Sequence, residues 1–135
     1  MQYVSVKDYI QRTDDTSREQ IFPDTVKLLN LVFLKDHTFS ELNLFLKKFT
    51  GQKITAAVFA ETARLIEEQL LVYESGKIAE NVVECLENIS YLDLKYILEL
   101  VKDKKGKMKI YNLNPSYQME SIFYPLKAMV LNGKL

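Results

Sequence analysis

Gln52, Lys53, Thr55 and Arg64 are the side chains best suited to act on another molecule. They stand in and just before ITAAVFAETARLIEEQL, a segment that reads as a helix. Amide, ammonium, hydroxyl and guanidinium groups near a helix N-terminus can bond base edges and phosphates, and Ala56 and Ala57 could meet a thymine methyl. Lys77 follows in a Glu-Ser-Gly-Lys turn, and Lys102, Lys104, Lys105, Lys107 and Lys109 form the strongest basic cluster. Such lysines can contact a phosphate backbone, or simply favour the negative end of a helix dipole. Carboxylates oppose this reading: Glu61, Glu67, Glu68, Glu74, Glu80, Glu84 and Glu87 crowd the same third of the chain. They suit solvated helix faces or an acidic docking surface. The docking version would use Glu61 and Glu68, with Tyr91 and Tyr96 supplying rigid amphipathic contact area.

Other chemistries lack their residues. His37 is the only histidine and Cys85 the only cysteine, so a His/Cys zinc site cannot be filled. Nothing places a serine or Cys85 beside His37, which reads as a loop or cap residue, and Cys85 reads as a small buried apolar side chain. No glycine-rich phosphate loop is present. Catalysis, metal and cofactor are therefore not expected.

The elements that must position these residues follow from periodicity and caps. A short helix over 6–12, or a strand at 4–7, leads into a polar loop over 12–20. Pro23-Asp24 should start an all-round apolar helix over 25–36, with Asp24 as N-cap, at the centre of the core. Thr38-Phe39-Ser40-Glu41 is a capping box that opens a helix with Phe39, Leu42, Phe45, Leu46 and Phe49 inward. Gly51 should end it in a left-handed conformation. The third helix is expected over 55–70, with Phe59, Ala63, Ile66 and Leu70 on one face. Leu71, Val72 and Tyr73 suit a strand, followed by a turn at 74–77. A helix over 79–87 comes next. Ser90 then caps one running to about 102, with Leu94, Ile97, Leu98 and Val101 buried. Lys104-Lys105-Gly106 should break that helix and a strand should run over 107–113. Asn114-Pro115 opens the last helix, 115–131, which Pro125 should kink or split.

The succession FSELNLFLKKF, TGQK, ITAAVFAETARLIEEQL and LVYESGKI resembles a winged helix-turn-helix. The resemblance spans 24–78 and implies a recognition helix in the DNA major groove, followed by a short wing. ARLIEEQLLVYESGKI and IFYPLKAMVLNGKL echo one another loosely, so 88–135 reads either as a helical dimerisation half or as a degenerate second unit of the same kind.

Composition bounds these readings. The chain has 135 residues, 47% hydrophobic and 27% charged, with 18 basic and 18 acidic side chains. That suits one globular domain, mainly α with minor β: a compact helical domain, winged-helix-like in its first half. No signal-peptide pattern or membrane-length apolar run is seen, so a cytoplasmic protein with no membrane contact is expected. Charge neutrality does not favour tight nonspecific nucleic-acid binding. Two functions remain: a small dimeric DNA-binding regulator, or a protein-interaction module on the same scaffold. The tyrosines and apolar helices suggest a homodimer.

Overall fold

A computed structural model of the chain describes the backbone of residues 6–76, 83–111 and 114–135, and side chains over 20–76, 83–107 and 114–135. The elements are α1 (Val6–Phe33), α2 (Phe39–Leu46), α3 (Gln52–Ser75), α4 (Glu84–Glu87), α5 (Tyr91–Tyr111) and α6 (Pro115–Leu131). The described residues form a compact helical domain, and among them there is no strand, so the expected β component is not found there.

Three of the caps written in the sequence start helices: those of α2, α5 and α6. Thr38 accepts from the Glu41 amide at 3.2 Å, and Glu41 reaches back to the Thr38 amide at 3.2 Å, closing the capping box of α2. Ser90 accepts from the Asp93 amide at 3.1 Å and Asn114 from the Tyr117 amide at 3.1 Å, with Pro115 opening α6. The apolar stripes also point as expected. Leu42, Leu46 and Phe49 are buried, as are Phe59, Ala63, Ile66 and Leu70 of α3 and Leu94, Ile97 and Val101 of α5. Phe39, expected inside, is 40% exposed, with its ring edge-on to Tyr124.

Five expectations are corrected. First, α1 runs unbroken through 12–20, because polar residues without an apolar stripe can still continue a helix. Pro23 lies inside α1, and Asp24 is not a cap but a buried carboxylate, bonded by Lys48 at 2.9 Å and Gln20 at 3.2 Å. Second, Gly51 is extended (φ −112°) and stands as the N-cap of α3, which starts at Gln52. Third, Leu71, Val72 and Tyr73 are helical. The α3 helix ends instead at Gly76, whose φ of 70° lets its amide bond the Val72 carbonyl at 2.9 Å.

Fourth, α5 continues through Gly106 to Tyr111. An exposed glycine weakens a helix by only about 1 kcal/mol, and Lys107 bridges Asp103 one turn back at 3.0 Å. The strand expected over 107–113 is thus helical to 111, while 112–113 lie outside the described residues. Fifth, Pro125 leaves α6 undivided, its ring exposed while Phe123 and Leu126 beside it are buried. The helix expected over 79–87 is confined to Glu84–Glu87 in the described part. Of the two readings at the start of the chain, the helix over 6–12 is formed as part of α1 and the strand is not formed at 6–7; residues 4–5, Lys77 and the turn beyond Gly76 lie outside the described residues.

The core lies between the second half of α1, α3, α5 and α6. Leu28, Leu29 and Val32 of α1 meet this core, and Phe59 of α3 lies 6.0 Å from Phe123 of α6, centroid to centroid. Helix α2 packs on α1 and α6. Tyr124 bonds Asn43 across that seam. Lys127 of α6 is fully buried, its Nζ 2.8 Å from the Leu34 carbonyl at the end of α1.

Candidate functional site

The outer face of α3 carries the expected reading residues. Lys53 and Arg64 are eleven positions apart, which places them on one side of the helix, about 16 Å apart along its axis. Ala57 and Ala60 fall between them. Gln52 and Lys53 are exposed at the first turn. Thr55 is fully buried, so it cannot touch a duplex. That is a correction, and helical spacing is its cause: Thr55 shares the inward face with Val58, Phe59 and Thr62.

Arg64 does not stand as an open cation. Its Nε lies 3.1 and 3.2 Å from the two oxygens of Glu61, and its Nη1 lies 2.7 Å from Glu68. Its Nη2 also meets Glu61. Two carboxylates on one guanidinium leave this patch with a negative sum. Glu67, on the same side, pairs with Lys102 of α5 at 2.7 Å. The expected basic cluster is likewise drawn into pairs: Lys102 to Glu67, Lys107 to Asp103. Lys105 is exposed and Lys104 half-buried on α5, rather than in a turn.

A second constellation forms where the C-terminal end of α3 meets α4 and the start of α5. Tyr73 and Tyr91 pack edge to face, centroids 6.5 Å apart at 68°. The Tyr73 hydroxyl lies between two backbone carbonyls, 2.9 Å from Glu87 and 2.7 Å from Ile89, which its single proton serves in turn. The Tyr91 hydroxyl donates to Glu74 at 2.6 Å. That bond, more than burial, pushes the Tyr91 phenol above its ordinary range, because ionisation would set two negative charges together. Tyr73, Glu74, Glu87, Asn88, Ile89, Ser90 and Tyr91 line an open recess of about 590 Å³ here.

Among the described residues neither Glu74 nor Glu87 is ion-paired. Lys95 stands at this corner, its Nζ 5.3 Å from the Tyr91 ring centre. Leu92 (76% exposed) and Tyr96 (51%) stand on the next turns of α5, and Leu71 (57%) on α3. Tyr91 and Tyr96 were legible as partner-contact candidates. The meeting of Tyr73, Glu74 and Glu87 with them was not, because a strand at 71–73 hides it. The crowding of acidic residues over 61–87 was the available signal.

His37 sits at the α1–α2 junction with Nδ1 2.9 Å from Glu41 and Nε2 3.9 Å from Asp36. The bond from His37, then that from the Thr38 amide, holds the Glu41 carboxyl below its usual range. Among the described residues, no cluster of histidine, cysteine and carboxylates could hold a metal, and no helix is long and apolar enough to cross a membrane.

Burial pushes the Cys85 thiol up to about 12. A disulfide reagent at neutral pH should therefore label native protein at the rate of unfolding, accelerating through the denaturant transition. Fast labelling of folded protein would mean that Cys85 is not buried.

A search of protein-family models, curated proteins and solved structures finds no match to this chain.

Proposed function

We propose that the chain is a protein-interaction module whose contact surface is the acidic, tyrosine-bearing end of the α3–α5 pair. The observation that carries this reading is that Tyr73, Tyr91, Glu74 and Glu87 line one open recess, on helices that also expose Leu71, Leu92 and Tyr96. Apolar anchors beside unpaired negative charge fit a partner segment that is apolar and basic. The pairing of Arg64 with Glu61 and Glu68 supports the same choice, since a DNA-reading helix needs its cations turned to phosphate. The order of α2, turn and α3 resembles a helix-turn-helix used here as scaffold.

Fluorescence anisotropy tests the choice. Two labelled probes are compared at low and moderate salt: random-sequence duplex DNA and an amphipathic Leu/Arg peptide of about fifteen residues, long enough for about four helical turns. The peptide should bind, and Leu92→Glu or Tyr96→Ser should weaken it about tenfold, in the range of a contact hot spot. DNA should not bind. DNA binding that falls steeply with salt and disappears in the Lys53→Glu, Arg64→Glu double variant would overturn the proposal in favour of a DNA-binding regulator.

A further inference from the structure

The recess between Tyr73 and Tyr91 has features that neither a packing role nor a generic acidic surface requires. The two rings meet at 68°, forming an aromatic corner rather than a flat stack. Glu74, whose carboxylate bonds Tyr91, and Glu87 are among the residues that line the same 590 Å³ space. The corner is also held rigidly. The Tyr73 hydroxyl ties the 87–89 backbone to the end of α3, and the Tyr91 hydroxyl ties the start of α5 to Glu74. Both tyrosine rings are thus fixed by their own hydroxyl bonds, so a ligand would meet a preorganised wall and lose little affinity to ordering it.

The lining chemistry selects for charge. Aromatic faces attract cations, and more strongly where water is partly excluded. A carboxylate adds charge-assisted hydrogen bonds. The Tyr91 bond occupies one oxygen of Glu74, Oε1, whereas among the described residues Glu87 shows a bond from Tyr73 to its backbone carbonyl and none to its carboxylate. Lys95 already places an ammonium over the Tyr91 ring, so the chain itself shows that this ring accepts a cation. An anion would be repelled by Glu74 and Glu87, and a neutral apolar group would bring them no charge beyond that of Lys95 over the Tyr91 ring.

We infer that this recess is a receptor for a single basic side chain, an arginine guanidinium carried by the partner segment. The inference rests on the interaction-module reading and adds its specificity-determining contact. Guanidinium is preferred to ammonium because it is planar, stacks on tyrosine, and presents two parallel donors to a carboxylate. In this arrangement the guanidinium lies against the tyrosine corner and donates to Glu87 and to the second oxygen of Glu74. Leu92 and Tyr96 then take the flanking apolar side chains of the segment.

The test uses the intact protein and a small probe, N-acetyl-arginine methylamide, followed by amide and side-chain chemical shifts. The citrulline analogue, which keeps the shape and removes the charge, is the control. Saturable shifts are expected at Tyr73, Glu74, Glu87 and Tyr91 with the arginine probe and not with citrulline. Glu74→Gln and Glu87→Gln should each weaken binding about fivefold or more, as loss of a charge-assisted bond implies. The side-chain amide introduced by Glu74→Gln can still accept from Tyr91, so the corner should stay intact, which unchanged ring-proton shifts would verify. Shifts scattered over all acidic faces, equal binding of citrulline, or unaltered affinity in both variants would each overturn the inference. If the arginine probe fails while the Leu/Arg peptide still binds at Leu92 and Tyr96, only the arginine receptor falls. If the peptide also fails, the interaction module falls with it.

Discussion

Phe59→Ala should cost about 3–5 kcal/mol of folding stability, the range for removing a fully buried aromatic side chain. Phe59 has no exposed surface, lies in the first half of α3 and meets Phe123 of α6 at 6.0 Å between ring centres. The substitution removes the transfer free energy of the ring and leaves a cavity that two helices, each packed on other partners, cannot close. A domain with a total stability of about 5–15 kcal/mol would lose a large fraction of it. Phe59→Leu should cost much less, because most of the volume remains. Denaturant unfolding measures both: the midpoint should fall in the order wild type, Leu, Ala, with little change in slope. A loss below about 1 kcal/mol for Phe59→Ala, against the range expected of a fully buried ring, would mean that α3 and α6 do not share this core.

Lys127 gives the second large effect, with an opposing term built in. Its methylene stem fills core space, and its Nζ bonds the Leu34 carbonyl at 2.8 Å, where α1 ends and its carbonyls lack helical partners. Burial pulls the ammonium below the ordinary lysine value, only partly countered by Asp36 and Glu41. Lys127→Ala loses the packing and the carbonyl partner together, and should cost about 2–4 kcal/mol. Lys127→Met keeps the volume and removes the buried charge, so its cost should be about 1 kcal/mol or less.

The pH dependence separates the terms. For a lysine whose folded pKa is depressed, the burial penalty is fully present while both states are protonated. As pH rises through the folded pKa towards the ordinary value of 10.5, the folded chain releases its proton first, and stability rises. Cys85, Tyr91 and Tyr124 act in the opposite sense. Burial for Cys85 and Tyr124, and the Glu74 bond for Tyr91, raise their folded pKa values, so their contribution is lost as pH rises. The measurement is therefore the difference between wild type and Lys127→Met. Relative to the methionine variant, wild type should gain stability over the approach to 10.5. A flat difference would mean that Lys127 is not desolvated.

The two effects come from residues that differ in how far the chain announces them. Phe59 sits on a periodic stripe with Ala63, Ile66 and Leu70, and its burial follows from spacing alone. Lys127 stands in an apolar run that points inward, but which carbonyl it meets depends on α6 crossing the end of α1, 93 residues away in sequence. The recess proposed as a contact surface divides in the same way. The acidic crowding and the tyrosines were visible as types. Their union needed Tyr73 to be helical and Glu87 to be brought beside Glu74, separations of 13 to 18 residues that no local pattern encodes.

Local chemistry by itself determined the starts of α2, α5 and α6, the inward stripes of α3 and α5, and that of α2 apart from Phe39. A cap or a periodic face is completed by residues three or four positions away, and the sequence contains both halves. Tertiary structure decided the rest. Leu71, Val72 and Tyr73 fit strand or helix equally by type, and became helix once Tyr73 could bond the 87 and 89 carbonyls and Gly76 could close α3. Polar residues 12–20 and the lysines around Gly106 show no stripe, so periodicity was silent where the backbone is helical. Thr55 and Arg64 carry the side-chain types of a reading helix. Burial removed the first and two carboxylates occupied the second, since side-chain type specifies what a group can bond, whereas packing specifies what it meets.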